Sequence, residues 1–159
     1  MAKKICLYGI LSAVCMVLGY IEHIVTFDFI APGIKLGLAN SVVLLLVVFG
    51  DVKGAFAVNI VRILMSALLF SSPFTLFYSL PAGIFSIIVM WLFKKIKSFS
   101  IVGFSIAGAT VHNITQLIIA LAFLGQGVLY YSPFLLISAV ISGILTGIVA
   151  KLVSSKIRF

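Results

Sequence analysis

Residues 108–117, GATVHNITQL, place an imidazole, two carboxamides and two hydroxyls inside a run of Ile, Leu, Ala and Phe. Gly108, His112 and Gln116 recur every four residues, so on a helix the imidazole and the Gln116 carboxamide share one face beside a glycine. Asn113 is adjacent and Thr115 is close by. A second polar group, Asn59, Arg62 and Ser66, has i, i+3, i+7 spacing and predicts another one-sided stripe. Imidazole and carboxamide both donate and accept hydrogen bonds, whereas guanidinium only donates.

Bond-breaking chemistry has few candidates. The chain carries three carboxylates, Glu22, Asp28 and Asp51. No pair of acidic residues is spaced to hold the magnesium ions of a diphosphate enzyme, and no Ser, His and acid cluster suggests hydrolysis. A Gly-x4-Gly-Lys-Ser/Thr phosphate loop is absent, so the chain does not itself use ATP. No Cys/His pair has metal-site spacing, and neither metal nor cofactor is expected. An enzyme is not the expectation. Cys6 and Cys15 lie about 13 Å apart along one helix, too far to bridge, and read as lipid- or core-facing apolar residues.

The elements that must position the polar groups follow from composition. The chain has 159 residues, 64% hydrophobic and 9% charged, with a mean hydropathy of +1.37. Soluble domains carry roughly 25% charged residues. Apolar stretches of about 20 residues, enough to span about 30 Å of hydrocarbon as helix, make this an integral membrane protein. Residues 1–4, Met-Ala-Lys-Lys, precede an apolar run without a small-residue cleavage site, so that run is expected to be retained.

Turn-forming and charged residues divide the chain into six apolar segments, at about 5–21, 36–50, 54–70, 74–93, 101–124 and 133–153. The second is short and either reaches back to Ile34 or tilts. Strands with alternating polarity are absent, which leaves helices as the spanning elements. The expectation is an all-α bundle of six transmembrane helices forming a single domain over 1–159. Lys3, Lys4, Lys53, Lys94, Lys95, Lys97, Lys151, Lys156 and Arg158 fall on one side of such a bundle, nine of the eleven basic residues. The positive-inside rule then places both termini in the cytoplasm. This clustering between apolar runs accounts for the net charge of +8 as a topology signal, and no nucleic-acid partner is expected.

Within this frame, polar residues inside spans mark either sites or helix-to-helix ties. Arg62 sits about 12 Å into the third span and reads as a contact for an anion or carbonyl, or as an internal tie to carbonyls or to a carboxylate. The His112, Asn113 and Gln116 group reads as the wall of a cavity with Gly108 leaving room, or as helix packing. The first outer loop, 20–40, holds Glu22, His23, Asp28 and Lys35, with a turn at Pro32 and Gly33. It is a binding lid or a connection at headgroup level. Tyr78 and Pro81 lie at similar depth in the fourth span, and Tyr130 and Tyr131 fit an interfacial belt. Small residues four apart, Gly9 and Ala13 in the first span and Ala139, Gly143 and Gly147 in the sixth, predict close helix contacts.

Several stretches together, PGIKLGLAN (32–40), NIVRILMSALLF (59–70), SLPAGIFSIIVM (79–90), SIAGATVHNITQL (105–117) and SGILTGIVA (142–150), resemble the Gx transporter family, also labelled heptaprenyl diphosphate synthase component I. That family is grouped with the substrate-binding S components of energy-coupling-factor importers, six-helix proteins of the bacterial cell membrane. The resemblance implies capture of a vitamin, flavin, quinone or isoprenoid-related molecule from outside, then docking on a transmembrane coupling subunit driven by ATPases. It implies a pocket in the outer half of the bundle formed by Asn40, Tyr78, His112, Asn113 and Gln116, with Lys35 on the lid and Arg62 deeper. It also implies that Gly9 and Ala13 meet the coupling subunit, although alanine is the usual residue at both positions. A synthase would need aspartate-rich metal sites that this chain lacks, so the family label suggests an association with isoprenoid, quinone or flavin metabolism.

Overall fold

The computed structural model describes residues 2–24, 37–69, 72–96 and 98–156, all helices and short connections. Lys35, Asp28, Pro32 and Gly33 of the expected lid, together with Lys97 and Arg158, lie outside the described residues, as does the His23 side chain. Six α-helices follow in order: α1 Ala2–Ile24, α2 Leu38–Phe49, α3 Val52–Leu69, α4 Thr75–Lys95, α5 Ile101–Leu124 and α6 Ser132–Lys156, with a 3-10 turn, Gln126–Tyr131, before α6. Each expected apolar segment is therefore a helix, and no strand occurs among the described residues.

Five of these helices are long and apolar enough to cross a bilayer, and α2 is shorter at 12 residues. Gly37 and Gly50 flank α2 in the left-handed conformation, φ 75° and 89°, which glycine adopts without a Cβ clash. The helix begins at Leu38; Leu36 and Ile34, where this segment is expected to begin or to reach, lie outside the described residues. At 1.5 Å per residue α2 is about 18 Å long, short of the hydrocarbon thickness.

What α2 lacks in length it makes up in burial. Ala39, Ser41, Val42, Val43, Leu44, Leu46 and Val47 are all buried, and the helix packs against α1, α3, α4 and α6. Both of its ends meet charge from other helices. Glu22 of α1 accepts the Leu38 N–H at 2.7 Å and the Ala39 N–H at 3.5 Å. Lys94 of α4 donates to the Val47 carbonyl at 2.7 Å. A carboxylate at the N-terminus and an ammonium at the C-terminus both match the helix dipole.

The remaining helices present apolar surface outward, with Ile5 70% and Leu68 65% exposed, as a lipid-facing shell requires. Cys6 is exposed, whereas Cys15 is buried with its Sγ 3.6 Å from the Ala39 carbonyl. The small-residue stripe of α6 has a definite partner. A Cβ on Gly143 would lie 2.7 Å from Ile106 Cα, and one on Gly147 would lie 2.8 Å from Val102 Cα. Glycine thus lets α6 approach the α5 backbone directly. A buried pair, Ser105 and Thr146, bridges the same two helices at 3.0 Å.

Candidate functional site

The packing of α2 against the long helices leaves a small cavity at its N-terminal end, lined by polar and apolar groups. Gly37 and Asn40 supply the α2 wall, Asn59 the α3 wall, and Gly83 and Ser86 the α4 wall. Ser105, Ala109 and His112 line it from α5, and Ser142 and Thr146 from α6. Val43, Leu44, Ile87 and Met90 close the apolar side. The enclosed space is about 30 Å³, room for a water-sized group or two rather than for a whole small molecule.

Two of the residues expected at a site, Asn40 and His112, line this cavity together. Arg62, Tyr78, Asn113 and Gln116 do not. Asn113 turns toward α6, where its Nδ2 donates to the Leu135 carbonyl at 2.8 Å and approaches Ser138 Oγ at 3.4 Å. It ties α5 to α6. Gln116, half-buried one turn beyond His112, lies outside the lining and makes no hydrogen bond among the described residues. Tyr78 meets Phe74 edge-on at 6.4 Å between ring centroids, away from the cavity. Lys35 lies outside the described residues.

Arg62 stands behind the cavity. Its Nη2 donates to Asn59 Oδ1 at 2.9 Å, and its Nε is buried without a hydrogen-bond partner. The α3 stripe therefore acts through Asn59, 2% exposed, which reaches the cavity. The room expected beside Gly108 is not open space. A Cβ there would lie 2.4 Å from Met90 Cγ and 3.2 Å from Ser86 Oγ, so Gly108 admits α4 side chains. The α5 face on the cavity is Ser105, Ala109 and His112, with i, i+4, i+7 spacing, and not the 108, 112, 116 row. That alternative spacing was available in the sequence, as were Ser142 and Thr146 four residues apart on α6.

Gly9 and Ala13 are both exposed on α1, and nothing lies within 4 Å of a Cβ built on Gly9. This stripe does not pack the bundle. No cluster of three His, Cys, Asp or Glu residues occurs among the described residues.

A helical bundle with an apolar, lipid-facing shell and a small cavity lined by neutral polar and apolar groups defines a polytopic membrane protein. Its family is specific: the chain belongs to the family described as heptaprenyl diphosphate synthase component I, whose model matches residues 11–153. No curated protein and no solved structure matches the chain.

Proposed function

We propose that this chain is the substrate-binding subunit of an energy-coupling-factor importer, without an ATPase or catalytic machinery of its own. It crosses the bacterial cell membrane six times with both termini in the cytoplasm, captures a vitamin, cofactor or cofactor precursor from outside, and passes it inward with a coupling subunit and ATPases. The observation that carries this reading is the cavity beside α2, where Asn40, Asn59 and His112 converge with hydroxyls from α4, α5 and α6. Polar groups at membrane depth are costly unless bonded or used; Ser105 and Thr146 bond each other, whereas the Asn59 Nδ2 in the same lining has no partner. The exposed Gly9 and Ala13 stripe supplies a close-contact surface for the coupling subunit.

The family's description favours a second reading, a non-transport membrane partner of a prenyl diphosphate, quinone or flavin system. Deleting the gene separates the two. An importer subunit predicts lost uptake of one cofactor or precursor, restored by the wild-type chain, and co-purification with a coupling subunit. Unchanged uptake together with a stable complex with a soluble prenyl transferase would favour the second reading.

A further inference from the structure

Ser86 of α4 is 8% exposed and lines the cavity beside α2. A serine inside a helix can satisfy its hydroxyl on a carbonyl three or four residues earlier. Ser138 does so on Leu135 at 3.0 Å and Ser142 on Ala139 at 3.2 Å. Ser86 does not. Its Oγ lies against α5, where a Cβ on Gly108 would be 3.2 Å away, and it has no hydrogen-bond partner among the described residues. Asn40 lines the same space from α2, and its side chain likewise has no partner among them.

The other hydroxyls of the lining offer acceptors. Thr146 donates to the Ser142 carbonyl at 2.8 Å, so the proton in its bond with Ser105 comes from Ser105. The Ser105 oxygen keeps its lone pairs. Ser142 donates to Ala139 and keeps its lone pairs in the same way. An O–H on α4 and an amide on α2 thus stand around about 30 Å³ of enclosed space with acceptor oxygens on α5 and α6. Water donates twice and accepts twice. A space of this size is filled when its walls are polar and supply two to four partners, and stays dry when they are apolar.

We propose that this cavity is an internal hydration site. One or two ordered waters bond the Ser86 hydroxyl and the Asn40 side chain, and join α2 and α4 to α5 and α6 through Ser105 and Ser142. The site rests on the cavity alone and stands under either function proposed above.

Two measurements on the full chain in lipid nanodiscs test it. The first is the sign of the Ser86→Ala effect. Truncating a hydrated hydroxyl removes a hydrogen bond, so the melting temperature should fall by about 2–4 °C. Removing a buried hydroxyl that has no partner would leave it unchanged or raise it. The second is magnetisation transfer from water to side-chain methyls by NMR. Leu44 and Ile87, 2% and 1% exposed, line the apolar side of the cavity, and their methyls carry no exchangeable proton. Wild type should show water cross-peaks to both. Ser86→Val, which fills the space and keeps the Ser105 and Thr146 hydroxyls as an internal control, should lose them. A Ser86→Ala melting temperature at or above that of wild type, no water cross-peak to either methyl in wild type, or cross-peaks unchanged in a folded Ser86→Val variant would overturn the proposal. If Ser86→Val fails to fold by circular dichroism, the Ser86→Ala sign and the wild-type cross-peaks decide.

Discussion

Glu22 Oε1 accepts the Leu38 N–H at 2.7 Å, so a carboxylate from α1 closes the first turn of the shortest helix in the bundle. Gly37 before it offers no side-chain cap. At the other end Lys94 holds the Val47 carbonyl. The helix that forms the cavity's inner wall is therefore pinned by charges from α1 and α4. Glu22→Ala should cost about 1–2 kcal/mol of stability, and Lys94→Met a similar or smaller amount. The two ends share no partner, so the effects should add. Thermal melts of both single variants and the double variant check this.

Asp51 gives the opposite end of the bundle a pH dependence. Its Oδ2 accepts the Tyr8 hydroxyl at 2.5 Å and its Oδ1 the Gly54 N–H at 3.0 Å. The Tyr8 bond holds the carboxyl below its ordinary range, with Gly54 and Lys4 adding to the effect and partial burial opposing it. A carboxyl whose pKa is lower folded than unfolded stabilises the fold above its unfolded pKa, and that contribution is lost as pH falls through the folded value. Melting temperature should therefore drop as pH falls below about 4, and Asp51→Asn should flatten that part of the profile.

Gly143 and Gly147 set the distance between α5 and α6. Gly143→Ala would drive a methyl against the Ile106 backbone, which cannot rotate away. A loss of about 1–3 kcal/mol is expected from such overpacking. Gly9→Ala, on the open face of α1, should leave the isolated chain's stability within about 0.5 kcal/mol. Parallel unfolding titrations of the two variants compare a filled contact with an empty one.

His112 and Asn113 are neighbours in sequence with different tasks. His112→Ala should weaken ligand binding by about 1–3 kcal/mol with the fold intact. Asn113→Ala removes the tie to Leu135 and Ser138 and should lower the melting temperature without a matching binding defect. Binding and melting measured on the same preparations separate the two roles.

Much of the fold was legible because hydropathy and turn chemistry act locally. The six apolar segments became helices, and the α6 glycines marked a real contact. The short second segment is a 12-residue helix that begins at Leu38, directly after Gly37 in the left-handed conformation. At the site, helical spacing showed which residues share a face but not what that face meets. Gly108 was read as open space, yet Met90 and Ser86 of α4 fill it. Asn113 lies about 100° around the helix from His112, enough to point it at α6. Asn59 belonged to a visible polar stripe, but its burial depends on Gly83, which is 24 residues away and packed against it. Such pairings arise from how helices dock, which no local pattern encodes.

The claim that this chain holds a small molecule against the cavity beside α2 is tested most directly by mass spectrometry of whatever the chain carries when purified from its own membranes. Wild type should release one discrete compound in near-stoichiometric amount. The His112→Ala variant, still folded, should release markedly less of it. Identical small-molecule profiles from wild type and variant would contradict the account.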